Sequence, residues 1–289
     1  MEKINHYELY RFNLDLINSF FSIGSHTIYE IKKNDELILL NAQKEYSLNL
    51  DNNLPFHENY EHISAYINRS VFNTYCEEFS QSANFDDVKI LIQNYGADQV
   101  WFTQYLSLLS AKSPEAAAIE IYKNLHDEIG YVPGSNDSSR FHPNIFRKLY
   151  KLFDIPPFNR FGEDHGLQEQ TYACINTLLL STKLDYLAGA GALFVLEETI
   201  PNQLENILNR LKNSGISYED REFFEMHINL DKEHATYWWK ICINPYLKSS
   251  HNWEQLLIGI ALGLSARNFL WKGIYEKSSF YQQTEKVDA

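Results

Sequence analysis

Residues 223–241 read FFEMHINLDKEHATYWWKI. At helical spacing, Phe224, His227, Asp231, His234, Trp238 and Ile241 fall three or four residues apart and share a single stripe. The ends of that stripe are apolar, and its middle carries three ionisable groups. An amphipathic helix turns its apolar stripe inward, so His227, Asp231 and His234 are expected in the core beside Phe224 and Trp238. Glu222, Lys232, Glu233 and Lys240 then face water. Burying charge without a partner is costly, and two imidazoles flanking a carboxylate at i, i+4 and i+7 offer a divalent ion a ligand set. A closed hydrogen-bond network, with Asp231 accepting from both rings, satisfies the same pattern. The choice between the two rests on what the other helices contribute.

The whole chain sets the bounds. Its 289 residues, 44% hydrophobic and 15% aromatic, suffice for one large domain with a small appendage. A formal charge of −13 argues against nucleic acid and against anionic membranes, since both call for a basic surface. The three cysteines, Cys76, Cys174 and Cys242, are far apart with no CxxC, which fits a reducing compartment and suggests neither a disulfide framework nor a zinc knuckle. No cationic and apolar leader opens the chain. The longest nearly apolar runs, at 186–196 and 256–264, fall well short of the roughly 20 residues that a membrane helix needs. The expectation is a cytoplasmic protein.

Residues 1–82 read as an N-terminal extension. The pieces HTIYEIKK, DELILLN and KEYSLNL cluster like short strands between Lys-Asn-Asp and Asn-Ala-Gln turns, so a β-hairpin or meander plus a helix is expected there. His57, His62 and Cys76 lack metal spacing and read as surface or packing residues. From 83 to 289 the pattern is helix after helix: 86–95, 98–110, 114–129, 143–153, 163–181, 184–198, 201–212, 218–243 and 253–275. Breaks fall at Gly130 to Ser139, at Ile155-Pro156-Pro157 and at Asn213-Ser214-Gly215. The last helix is apolar nearly all round and is expected to be central. The fold class is all-α, a bundle of seven to nine helices.

Three of these helices carry further ligand candidates. Glu128 ends a stripe through Ala117 or Ala118, Ile121 and Leu125. His142 opens one through Phe146, Leu149 and Phe153. The run LDYLAGAGALFVLEETIP ends in Glu197 and Glu198, and periodicity does not choose between them. Three carboxylates and three imidazoles suit two iron or manganese ions in a helical bundle, because carboxylates bridge and imidazoles terminate. A single zinc ion, which prefers four ligands, suits the set less well.

With Glu128, His142, Glu197 and His227-x3-Asp231-x2-His234 in view, the chain resembles the haem-oxygenase-like di-metal oxidases and oxygenases, the iron-containing redox enzymes. The resemblance covers roughly 86–275. Its most specific part is the His-x3-Asp-x2-His run, supported by DEIG before RFHPNIFRKL and by GALFVLEETIP. It implies a haem-oxygenase-like helical di-metal domain over 83–289, with Glu128, His142, Glu197, His227, Asp231 and His234 binding two Fe2+ ions, Mn being an alternative. It also implies O2 as co-substrate and a small-molecule substrate, an amino-acid-like amine or carboxylate, oxidised by N-oxygenation or oxidative C–C cleavage. An external electron donor and a homodimer are further expectations from the family. The Pro-Gly-Ser-Asn-Asp insertion lengthens the Glu128 to His142 interval beyond the family pattern. Two other functions satisfy parts of the sequence: a helical binding module with a buried His-Asp-His network, and a thiaminase-like hydrolase using Cys174 or Cys242.

Overall fold

The computed structural model describes residues 56–95, 100–130, 139, 141–156, 166–180 and 185–282. The strand-like pieces between residues 26 and 50 lie outside them. Among the described residues there is no strand, and the architecture is an all-α bundle of ten α-helices. In chain order these are α1 Phe56–Asn68, α2 Val71–Ser82, α3 Phe85–Tyr95, α4 Val100–Lys112, α5 Glu115–Glu128, α6 His142–Leu152, α7 Leu167–Leu180, α8 Tyr186–Asn213, α9 Tyr218–Tyr237 and α10 Ser250–Lys277.

Two 28-residue helices, α8 and α10, form the axis of the bundle. Each starts on a side-chain cap: Asp185 accepts from the Ala188 backbone N–H at 3.1 Å, and Ser249 accepts from that of Asn252 at 3.2 Å. Both are apolar on most sides, as a central helix must be, and α10 fulfils the expectation for the last helix. They meet over a seam of small residues. A Cβ added to Gly191 would lie 2.7 Å from the Leu256 carbonyl oxygen, one on Gly263 would lie 2.8 Å from that of Ala192, and one on Gly259 would overlap the Ala188 carbonyl. The backbones touch at this seam, and no side chain fits between them.

The remaining helices pack around this pair. Helices α1, α2, α4 and α9 lie on α8, and α2, α3 and α7 lie on α10. The two helices of the extension, α1 and α2, place Ile63, Ile67, Phe72, Cys76 and Phe79 in the common core. The two apolar segments predicted at 184–198 and 201–212 are a single helix, α8, with Pro201 inside it. A proline in a helix interior costs about 3 kcal/mol, because it removes one N–H and crowds the carbonyl four residues back. Here Leu193 and Phe194 before it and Leu204, Ile207 and Leu211 after it are all buried, and their packing holds both halves in line.

Helix α9 also departs from the sequence pattern at its C-terminal end. It passes into a π-helical turn, Trp238–Ile243, and then a short 3₁₀ turn, Asn244–Tyr246, containing Pro245. The π turn adds a residue per repeat and rotates the face that follows. Trp238 is buried as expected, but the core then takes Trp239, Cys242 and Ile243, while Ile241, expected on the stripe, is half-exposed.

The seam makes a test of the architecture. Gly259→Ala should destabilise the fold by about 1–3 kcal/mol or more, as overpacking against fixed backbone does. The measure is a lower urea midpoint with an unchanged m-value, and an unaltered midpoint would show that α8 and α10 do not approach so closely.

Candidate metal centre

Four helices bring one side-chain set together. Glu128 sits in the last turn of α5, His142 opens α6, Glu197 lies mid-way along α8, and His227, Asp231 and His234 occupy successive turns of α9. All six are buried, none more than 6% exposed. Ser217 caps α9 by accepting from the Asp220 N–H, which starts the helix ten residues before His227 and sets the face it presents.

The contacts centre on Glu128. One of its carboxylate oxygens, Oε2, lies 3.2 Å from His142 Nδ1 and 3.8 Å from His227 Nε2, and the two rings meet edge to face with centroids 4.7 Å apart. His234 Nδ1 lies 3.5 Å from Glu197 Oε2 and 3.9 Å from Asp231 Oδ1. Two potential ligand groups result: Glu128 with His142 and His227, and Glu128 with Asp231 and His234. Within each, the ligand atoms lie within 4.8 Å of one another. Glu128 belongs to both.

Two imidazole nitrogens decide what the cluster can hold. His227 donates its Nδ1–H to the Phe223 carbonyl at 2.7 Å, which fixes the ring and leaves the Nε2 lone pair facing the cluster. His234 is held the other way round, its Nε2 3.3 Å from the half-exposed carboxylate of Asp127 and its Nδ1 facing inward. His227 Nε2 and His234 Nδ1 are buried without a hydrogen-bond partner. A closed polar network would satisfy them, whereas a cation between them and the carboxylates would use them as ligands.

The electrostatics express the same demand for positive charge. Burial alone would drive protons off the imidazoles, yet the carboxylates outweigh it. Contact with Glu128 and the charge of Asp231 push His227 up to about 9, and Glu197 and Asp231 push His234 up to about 10. Burial also opposes the Glu128 charge, but its contacts with His142 and His227 hold it below the usual carboxylate range. Asp231 is raised well above its ordinary value, by burial first and then by Glu197 and Glu128. Without a metal, protons supply the balancing charge.

Sequence periodicity left Glu197 and Glu198 equivalent; the structure separates them. Glu197 turns to the cluster, with one oxygen accepting from Asn124 Nδ2 at 3.3 Å. Glu198 turns to α1, where Tyr60 and Asn68 donate to it at 3.2 and 3.1 Å and Ser64 donates as well. Two neighbours escaped the sequence analysis. Asn124 lies one turn before Glu128 and is buried on its face, where Leu125 was expected and is only half-buried; that spacing was the available signal. Asp127 carried no signal, because its role depends on His234 from another helix.

A family model described as iron-containing redox enzyme matches residues 89–268, well over half of the chain and all six of these positions. The chain belongs to the iron-containing redox enzymes. No curated protein matches it. This iron-containing redox enzyme is thus an oxidoreductase with a haem-oxygenase-like all-α fold, and the buried Glu/His cluster lies inside the matched span. Among the described residues no helix is long and apolar enough to cross a membrane. Cys242, which a thiol-dependent hydrolase would use, is buried, with its pKa pushed up to about 12 by burial, which leaves it a poor nucleophile. Cys174 lies in α7.

The split between the adjacent acids is directly testable. Glu197→Gln should weaken the apparent affinity for Mn2+ about tenfold or more and shrink the metal-induced rise in melting temperature, while Glu198→Gln should leave that rise intact. Equal responses of the two variants in a thermal-shift titration would refute the assignment.

Proposed function

We propose that the chain is a non-haem di-iron oxidase or oxygenase that uses O2 to oxidise a small metabolite, an amino-acid-like amine or carboxylate, by N-oxygenation or oxidative C–C cleavage. One observation carries this. Two buried ligand groups share Glu128, and each contains an imidazole nitrogen that no protein group satisfies. Glu128, His142 and His227 would hold one ion. Glu128, Asp231 and His234 would hold the other, with Glu197 beside His234. An iron pair bound there supplies O2-dependent two-electron oxidation, and an external electron donor restores it where the substrate does not.

The protein contributes position and dryness. Glu128 would serve both ions, because among the described residues it alone belongs to both ligand groups. His227 is oriented by the Phe223 carbonyl, and His234 by Asp127, so neither ring swings when its partner arrives. Phe223 stacks on His227 at 4.1 Å between centroids and, with Phe146 and Phe224, walls this side of the cluster against water. A pocket opens against the same cluster, lined by Glu128, Glu197, His227 and Asp231 together with Tyr95, Phe102, Gln168 and Tyr172. A small substrate in this pocket would sit beside the proposed ions.

The test is anaerobic titration of the metal-free protein with Fe2+, metal analysis, and then exposure to O2. Wild type should take up two irons per chain and develop a transient visible absorption on oxygenation, with O2 consumed. Glu128→Gln should lose both ions, whereas His142→Ala should retain the second group's ion. Loading of the Glu128→Gln protein equal to wild type would overturn the shared-ligand arrangement. A wild type that takes up no iron would overturn the function.

A further inference from the structure

Behind Gln168, which lines the pocket, lies a buried cation with no counter-ion among the described residues. Arg267, on α10, is 1% exposed. Its Nη1 donates to Gln168 Oε1 at 3.0 Å, its Nη2 donates to Gln203 Oε1, and the guanidinium lies 5.9 Å from the centre of the Tyr95 ring. Its Nε is buried without a partner. Among the described residues no carboxylate stands within ion-pair distance of it. A fully buried guanidinium surrounded by neutral groups is costly, and proteins normally pair it.

Arg267 also dictates which way its amide neighbours face. A guanidinium only donates, so both glutamines turn their carbonyl oxygens toward it and their NH2 groups away. Gln203 spends its NH2 on Asn73 Oδ1 at 2.9 Å, and its oxygen also accepts from Trp271 Nε1 at 2.9 Å. That amide has a partner at each end. Gln168 differs: among the described residues no acceptor meets its Nε2, and its side chain lines the pocket together with Tyr95, whose ring neighbours Arg267. The result is an amide donor, polarised by a cation behind it, in a pocket that Glu128, Glu197, His227 and Asp231 also line.

We propose that Gln168, backed by Arg267, anchors a carboxylate on the substrate. This rests on the metal reading above, and it specifies the substrate as a small organic acid. With two divalent ions bound, their charge exceeds that of Glu128, Glu197 and Asp231. Arg267 adds to the excess, so the pocket attracts an anion. A single amide donor suits a monoanionic carboxylate better than a phosphate, which calls for several donors or an Arg fork. Phe102 and Tyr172, whose rings lie 5.3 Å apart, and Phe223 with Ile200 provide an apolar surface for the rest of the molecule. Gln168 is thus a specificity-determining residue, and Arg267 is the residue that positions and polarises it.

The test uses two acid and amide pairs as probes, phenylacetate with phenylacetamide and hexanoate with hexanamide. Binding is measured by calorimetry on iron-loaded, anaerobic protein, with iron per chain counted on the same samples. At least one acid should bind wild type about tenfold tighter than its amide, as a charge-assisted hydrogen bond does. Gln168→Glu retains the side-chain shape, gives Arg267 an ion-pair partner and keeps the fold, and a thermal melt verifies this. It should abolish the preference for the acid. Gln168→Met, which removes the donor without adding charge, should reduce it. Acid and amide binding alike in both pairs, neither probe binding, or an acid preference that survives Gln168→Glu would each overturn the anchor. Failure of the metal reading shows separately in the iron count, as wild-type protein that takes up no iron. Iron loaded with no acid preference condemns the anchor alone.

Discussion

Six ionisable side chains, each at most 6% exposed, occupy one place between α5, α6, α8 and α9, and the rest of the bundle accommodates that fact. An isolated buried ion costs several kcal/mol even after relaxation, so the carboxylates and imidazoles must answer one another or a bound cation. Glu128 sits where both answers converge, because a single carboxylate faces His142 and His227 on one side and the Asp231 and His234 group on the other. Displacing it by the width of one atom would take its carboxylate away from His142 and His227 and out of the Asp231 and His234 group. The centre therefore depends on how accurately the four helices are placed more than on any one of its side chains.

That placement comes from backbone contact. Where α8 and α10 cross, Gly191, Gly259 and Gly263 let carbonyl groups pack against helix backbone, so the distance between the axial helices does not vary with side-chain rotamers. Tyr105 reinforces the position by donating its hydroxyl to the Gly189 carbonyl at 2.5 Å, tying α4 to α8 two turns before Glu197. The π turn that follows α9 buries both Trp238 and Trp239. Trp239 then packs on Phe194 of α8, one turn from Glu197, with ring centroids 5.5 Å apart. Helix α9 is thereby clamped to α8 just beyond its ligand-bearing turns.

Periodicity made much of this legible from sequence. His227, Asp231 and His234 declared themselves because three ionisable groups interrupted an apolar stripe, and Glu128 and His142 because each shared a face with buried aliphatic or aromatic residues. What periodicity conveys is a direction around one helix axis. It could not choose between Glu197 and Glu198, which lie about 100° apart on a face that is apolar on both sides. Nor could it foresee that Pro201 would be carried through α8, since the packing that offsets its cost belongs to other helices. Asp127 and Gln168 were unreadable for a similar reason: the first acquires its role only from His234, and the second only from Arg267, a hundred residues away in sequence. The π turn left no compositional mark, and the rotation it imposes on Ile241 was lost with it.

The adjacent acids also show why the helices ahead of the matched span belong to the same working unit. Family similarity begins at residue 89, beyond α1 and α2. Yet Tyr60, Ser64 and Asn68 of α1 all converge on Glu198, whose carboxyl is raised above its ordinary value chiefly by burial. Asn73 of α2 holds Gln203, and Gln203 in turn holds Arg267. A helix rotates as a rigid cylinder, so fixing Glu198 on one side of α8 fixes the direction of Glu197 on the other. The same helix then carries, from N- to C-terminus, the small-residue seam, the carboxylate beside His234, the carboxylate bound by α1, and the glutamine beneath Arg267. Helices α1 and α2 therefore brace α8 at both Glu198 and Gln203, so the packing that holds its ligand-bearing face extends beyond the matched span.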